Sequence, residues 1–313
     1  MGGLLSRRAV VAAKIETTEG TLNAPAAADA NFLVVDPKYV IGRPVFDRKN
    51  VDASMSAYAG IPGAQEATLT FRVENKGSGT AGTAPALGKL LKACGMGETI
   101  TGGISAIYKP ISTALSSISL ALYKDGTIFT MRGARGTFKF GVGKGGEPGY
   151  FDFTFRGVHV NVVAGALLTG SGIETTLPPA FLNAALTIQT FAAKVDKFSL
   201  DIGNVLALRT DPNQPEGYFS CAITDRNVTG SCDPEWELPA THDFETIWKA
   251  GTLGALSAAF GATAGNILTV TAPKMQYTKF APGTRGGVEI ITLDFMLTRS
   301  LAAGDDELSL AYT

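Results

Sequence analysis

Several groups of residues invite a chemical reading. Gly141-Val142-Gly143-Lys144-Gly145-Gly146 satisfies G-x-G-x-x-G, the pattern that in a dinucleotide fold opens a helix whose N-terminus meets a pyrophosphate. Here Glu147-Pro148-Gly149 and the strand-like run Tyr150 to Phe155 follow instead, so the segment reads as a glycine-rich hairpin tip. The two histidines, His159 and His242, stand at no metal-ligand spacing, and no G-x-S-x-G elbow presents a nucleophile. His159 reads as a strand residue with a hydrogen-bond partner, and His242, beside Asp243, as part of a surface pair at a helix start. Asp305-Asp306-Glu307 reads as a solvated turn rather than an acid/base or cation site. Cys94, Cys221 and Cys232 have neither metal-site spacing nor the even count of a disulfide framework, and read as reduced, buried thiols. No catalytic, cofactor-binding or metal residue is assigned, and an enzyme is the class least supported.

Two further motifs lack their context. Met1-Gly2-Gly3-Leu4-Leu5-Ser6 fits a myristoylation pattern and Asn227-Val228-Thr229 a glycosylation acceptor, but nothing else in the sequence looks eukaryotic or secreted. Arg7-Arg8 precedes only Ala9 to Ala13 before Lys14 interrupts the apolar run, too short for a secretory signal. No stretch approaches the ~20 apolar residues of a spanning helix. A soluble protein made in the cytosol, without membrane contact, is expected.

The elements that must position these residues are mostly strands. Of 313 residues, 45% are hydrophobic and 18% charged, and 37 glycines punctuate β-branched and aromatic runs. That is a globular, turn-rich, mainly β profile. Lys and Arg total 27 against 28 Asp and Glu, without the basic stripe of a tight nucleic-acid binder. Ile118, Leu120 and Leu122 alternate with other residues, as do Phe151, Phe153 and Phe155, which suits half-buried antiparallel strands. Asp125-Gly126 signals a hairpin. Arg43 to Pro62 lacks periodicity and is long for a loop, so an intersubunit role is expected. Trp248 falls on the apolar face of a short helix and reads as core; Trp236 receives no assignment.

The chain also contains itself twice. Gly126-Thr127-Ile128-Phe129-Thr130-Met131 matches Gly265-Asn266-Ile267-Leu268-Thr269-Val270, and Phe138-Lys139-Phe140 matches Tyr277-Thr278-Lys279-Phe280. Phe151-Asp152-Phe153 matches Leu293-Asp294-Phe295, and Val35 to Gly42 matches Val195 to Gly203. A helix at about 84–94, with Thr83 as N-cap, Pro85 in its first turn and Gly95 as terminator, matches one at about 243–250 that stops at Gly251. The strand Ala67 to Val73 is set opposite Tyr218 to Ile223. The expected fold is mainly β: two tandem homologous sandwich or barrel domains, each with one short helix against its sheet. The first spans 1–175, with an N-terminal arm 1–12 and the long loop 43–62; the second spans 176–313.

The block Gly77-Ser78-Gly79-Thr80-Ala81-Gly82-Thr83-Ala84-Pro85, running into Leu90-Leu91-Lys92-Ala93-Cys94-Gly95, carries a family likeness. So do Ala12 to Thr21, Ile223 to Arg226, Ala250 to Ser257, Thr263 to Asn266 and Gly304 to Leu310. Over most of its length the chain resembles the major tail tube proteins of long-tailed bacteriophages (siphophages), especially the two-domain kind of Mu-like prophages; Arg43 to Met55 departs from the pattern. The resemblance implies a structural virion protein assembled in the bacterial host cytoplasm, stacked as rings around a channel. Its partners would be further copies of itself, the tape measure protein, the tail terminator and distal tail or baseplate proteins. Genome DNA would pass through a neutral-to-acidic lumen without sequence-specific binding. Single-domain relatives form hexameric rings, so a duplicated chain would form trimers of pseudo-sixfold symmetry. The arm 1–12, loop 43–62 and the C-terminal tail are expected to order on assembly. Two other readings remain open, another tube-like tail or baseplate component and a receptor- or carbohydrate-binding β-sandwich; copy number per particle separates the first, exposed aromatic platforms the second.

Overall fold

The computed structural model describes residue 5 and residues 7–313; Met1 to Leu4 and Ser6, which carry most of the myristoylation pattern, lie outside the described residues. The first half of the chain forms β1 (Ala9–Ile15), β2 (Val35–Gly42), β3 (Val45–Phe46), β4 (Ile61–Pro62), β5 (Glu66–Glu74), α1 (Gly88–Ala93), β6 (Met96–Thr101), β7 (Ser105–Pro110), β8 (Ile118–Lys124), β9 (Thr127–Val142) and β10 (Tyr150–Ala164). The second forms β11 (Thr187–Ile188), β12 (Phe198–Asp201), β13 (Asn204–Thr210), β14 (Tyr218–Arg226), β15 (Thr229–Cys232), α2 (Phe244–Ala250), β16 (Gly254–Phe260), β17 (Leu268–Arg285), β18 (Val288–Leu297) and β19 (Ser309–Tyr312). The fold is mainly β with two short helices, as the sequence leads one to expect.

Strand order repeats along with the sequence. One antiparallel run is β1-β8-β9-β10-β5-β2, and a second is β11-β16-β17-β18-β15-β12. The runs join where β12 (198–201) pairs with the end of β9 (139–142). A second bridge is made by β19, which lies between β17 of the second run and β7 of the first.

The core follows from period-two alternation. Inward residues of β5, β9 and β10 include Phe71, Phe138, Phe140, Phe151, Phe153 and Phe155, all buried. Phe151, Phe153 and Phe155 stack in file at 5.9 and 5.8 Å between centroids, and Phe140 meets Phe260 of the second run edge-on at 5.1 Å. Burying each ring contributes about 2 kcal/mol, so this file of aromatics welds the two runs as firmly as the ladder does.

The structure corrects five expectations. Helix α1 starts at Gly88, not near residue 84, and its N-cap is Leu87 rather than Thr83. Ala84 precedes Pro85 and is held out of helical conformation, so the helix begins only after the turn in which the Gly88 amide donates to the Pro85 carbonyl. Its end is as read, with Gly95 at φ +79°. Part of the N-terminal arm is already ordered, since residues 9–12 belong to β1, where Val11 and Ala12 are fully buried. The C-terminal tail is ordered too, as β19. Asp305-Asp306-Glu307 is not a solvated turn: Arg226 reaches Asp305 at 2.8 Å and Glu307 at 2.7 Å, and Asp306 accepts from the Ser300 and Leu301 amides. His242 is no surface residue; its ring stacks on Phe191 at 4.5 Å and abuts Phe244, and that burial lowers its pKa. Asp243 alone caps α2, accepting from the Thr246 amide at 2.9 Å.

Other expectations stand. Asp125 and Gly126 turn the β8–β9 hairpin with positive φ. Gly141 to Gly146 runs from the end of β9 into the tip before β10, with no helix following. The three cysteines are free and buried. His159 lies in β10 with Nδ1 3.0 Å from the Tyr39 hydroxyl. Trp248 stacks on Phe280 at 5.8 Å, half-buried rather than in the deep core, and Trp236, partly exposed, meets the same ring edge-on.

Candidate functional site

The sheet that buries phenylalanines on one face leaves its other face open. In the central order β2-β5-β10-β9-β12-β15-β18-β17, ladder register sets the outward residues in one transverse row. Arg72 lies opposite Asp152, Asp152 opposite Lys139, and Lys139 opposite Asp201. Farther along, Ser231 lies opposite Asp294 and Asp294 opposite Lys279. Each cation of the row has an anion. Arg72 meets Asp152 at 2.7 Å, Lys139 meets Asp201 at 3.0 Å, and Lys279 approaches Asp294 at 3.5 Å. Thr70, Thr154, Ser199, Thr229 and Thr292 fill the face between them. Exposed pairs of this kind contribute at most about 1 kcal/mol each. Their consequence is electrostatic: three positive and three negative side chains leave a wet, hydroxyl-rich face without net charge.

Sequence reasoning found no site here, yet a signal was available. Phe138-Lys139-Phe140, Phe151-Asp152-Phe153 and Leu293-Asp294-Phe295 each set one charge between two inward apolar residues, which marks the outward position of a half-buried strand.

Both edges of this eight-strand surface are unpaired among the described residues. In an antiparallel ladder, successive residues present their polar backbone groups to opposite sides. The Asn75 amide donates to the Gly149 carbonyl, which fixes the alternation across β10, β5 and β2. Lys38, Val40 and Gly42 then face β5, while Pro37, Tyr39 and Ile41 face outward. The Leu297 amide donates to the Val228 carbonyl across the β18–β15 side, so Phe280, Pro282 and Thr284 of β17 face outward. Each free edge thus carries a proline on its open side, where it costs no internal bond and limits indiscriminate pairing.

The β13–β14 hairpin leaves its own run and lies across the bulged end of the β9–β10 ladder. Three arginines of the first run receive it. Arg132 donates to the Phe219 carbonyl and meets Glu216 at 2.8 Å. Arg135 donates to the Cys221 carbonyl, and Arg156 donates to the Leu206 carbonyl while holding Glu66. Beneath this seam Glu16, 7% exposed, accepts from the Ser117 and Ser119 hydroxyls and the Gly20 and Gly133 amides. Asn204 seals the root, donating to the Cys94 and Gly136 carbonyls.

Glu19 bridges body and hairpin, accepting from Arg135 at 2.8 Å, Ser220 at 2.6 Å and Arg209 at 3.0 Å. The Arg135 hydrogen bond, against the opposing effect of burial, holds its carboxyl down to about 2 from an ordinary 4.5. Because the folded pKa is depressed, this stabilisation is complete above about pH 4.5 and is lost as pH falls toward about 2. The unfolding midpoint of the native chain should therefore drop more steeply over that window than that of Glu19→Gln. Parallel curves for the two proteins would show that Glu19 does not clamp the hairpin.

The expected metal-free reading is untested by the geometry, though no group of three or more His, Cys, Asp or Glu among the described residues is placed to hold an ion. Among the described residues no helix is long and apolar enough to cross a membrane. A protein-family model described as phage tail tube protein matches residues 6–297. No curated protein matches the chain.

Proposed function

The chain belongs to the phage tail tube protein family, and from that premise we propose that it is the repeating subunit of a long-tailed phage's tail tube, closing as rings of three and stacking into a hollow conduit for genome DNA. A structural role in the virion tail follows from the family; the ring is our reading of the fold.

The observation that carries it is the joint inside the chain. Strands β2-β5-β10-β9 form one four-strand unit and β12-β15-β18-β17 its counterpart, and they are joined edge to edge where β12 meets β9. If 1–175 and 176–313 are duplicated domains, the same joint has a second, unfilled instance. The outward edge of β17 near Lys279 to Pro282 corresponds to β9 at 139–142, and the outward edge of β2 corresponds to that of β12. Pairing those edges between copies repeats the internal joint and closes a ring, because a head-to-tail contact closes when its rotation fits. Closure also removes the exposed edges that small β domains otherwise leave.

Ring size follows from strand number. Three copies at eight strands each, spaced about 4.8 Å and tilted about 40°, make a backbone barrel roughly 50 Å across. The phenylalanine face, covered by the helices and flanking strands, lies outward in such a ring, and the charge-compensated face lines the bore. Head-to-tail stacking of rings stays open and gives a filament. The tape measure protein during assembly, then DNA, would occupy the bore; tail terminator and distal tail or baseplate proteins would cap its ends, with assembly in the host cytoplasm.

Negative-stain electron microscopy of the concentrated protein tests this reading. Hollow tubes with three elongated chains per ring in top view are expected. Monomers that never form rings, even with the tail partners present, would remove the tube and bring the binding-sandwich alternative forward.

A further inference from the structure

The segment between β2 and β5 is the most apolar unpartnered surface among the described residues. Apart from the two-residue β3–β4 ladder and an Arg43 side-chain bond to the Gly63 carbonyl, it lies away from the body. Phe46 is 60% exposed, Val51 97% and Met55 fully exposed. Nothing in the sequence accounts for such residues in a free loop; strand order does.

In the second run, the chain between the corresponding strands β12 and β15 is the β13–β14 hairpin. The sequence match sets Tyr218 to Ile223 against β5, but in the sheet β5's place beside β10 is taken, beside β18, by β15. Residues 204–226 are therefore the counterpart of the exposed arm 43–65, and unlike the arm they are docked. They lie over the neighbouring run, and their far end reaches the root of the arm, where the Gln65 amide donates to the Glu216 carbonyl at 2.9 Å. Each hairpin thus crosses the next unit and ends where that unit's own hairpin begins.

We propose that arm 43–62 docks on the second run of an adjacent copy as the β13–β14 hairpin docks on the first run within one chain. The surface it meets is the bulged end of the β17–β18 ladder. Its counterpart in the first run is covered, since Gly95 at the end of α1 lies against Ile223 of the hairpin. In the second run the matching helix end at Gly251 is bare, with Leu253 45% and Leu301 63% exposed nearby. By the head-to-tail rule the arm's tip ends at the root of the partner copy's hairpin, around Thr224 and Asp225. An aliphatic and aromatic arm with no cover on its own chain and an apolar counterpart surface with no cover on its own chain complete each other only between copies. This inference rests on the ring reading, and the test separates the two.

A photo-reactive benzoylphenylalanine is placed at Phe46 in one full-length variant and at Met55 in another, and both are irradiated as monomer and as assembled tubes. The expected products are intermolecular, confined to the assembled sample, and map from position 46 to residues 251–253, 271–276 and 297–301 and from position 55 to residues 223–226. Tubes that form but cross-link to other segments, or not at all, overturn the docking while leaving the tube intact. Failure of both variants and of the native chain to assemble removes the ring and this inference together. The double variant Phe46→Ser/Met55→Ser, which touches nothing buried, should keep the monomer's unfolding midpoint and raise the concentration needed for assembly at least tenfold. Assembly at the native concentration would overturn the proposal.

Discussion

Ile41→Pro is expected to leave the monomer folded and to stop ring formation. Ile41 lies in β2 with its amide directed away from β5, so proline there removes no bond within the chain, and its extended neighbour Val40 accommodates the restriction that proline imposes. The sequence match that sets Ile41-Gly42 beside Ile202-Gly203 makes this amide the counterpart of the Ile202 amide, which donates to the Phe138 carbonyl at 3.1 Å in the internal joint. At an intersubunit joint a proline would remove that donor and push its ring into the approaching strand, costing about 3 kcal/mol, more than a hundredfold per contact. Unchanged circular dichroism and thermal midpoint, with loss of every species larger than monomer in analytical ultracentrifugation, is the result expected; Ile41→Val should assemble normally. Rings formed by the proline variant at native concentration would show that β2's outer edge is not a joint.

The joint was only half legible in the sequence. Its repeated landmarks were visible because buried strands keep a strict period-two pattern, and the Phe-Lys-Phe and Phe-Asp-Phe triplets fixed both the inward file and the outward charge. Helix α2 was legible from its caps, Asp243 and Gly251, whereas the start of α1 was obscured by Pro85, which can begin a helix but also unseats the residue before it. The mismatch of Tyr218 to Ile223 with Ala67 to Val73 has a different cause. The strand that takes β5's place, Thr229–Cys232, has four residues, one of them glycine, and no hydrophobic pattern to compete with the longer β14. Loop 43–62 looked formless for a related reason: its apolar residues follow the surface of something outside the chain, so no period of this chain's own packing appears in them. Arg226 and the Asp305–Glu307 segment are distant in sequence, and only the sheet brings them together.

Asp152→Asn, Asp201→Asn and Asp294→Asn together are expected to turn an indifferent channel into one that holds DNA. The three substitutions are close to isosteric, act on solvent-facing side chains, and remove pairs whose contribution to stability is at most about 1 kcal/mol each, so assembly should persist. The amide oxygen introduced at position 201 can still accept from the Gly203 amide, as the Asp201 carboxylate does at 2.8 Å. What changes is the field. Arg72, Lys139 and Lys279 lose their counterions, and each chain gains three positive charges on one face. A narrow bore concentrates the resulting potential and recruits phosphates, with release of counterions from the duplex. Assembled native tubes should retain no measurable duplex at about 0.15 M salt, where the Debye length is about 8 Å. Variant tubes should bind it, and log affinity should fall with log salt at roughly −0.9 for each phosphate engaged. Variant tubes that assemble yet take up no DNA would place the row outside the bore and reverse the assignment of the two sheet faces. If they do take it up, the pairing of every cation in the native row with a carboxylate becomes intelligible as a requirement of transport. A conduit must pass a polyanion of great length, and a favourable contact repeated in every ring would multiply along the tube into a barrier to release.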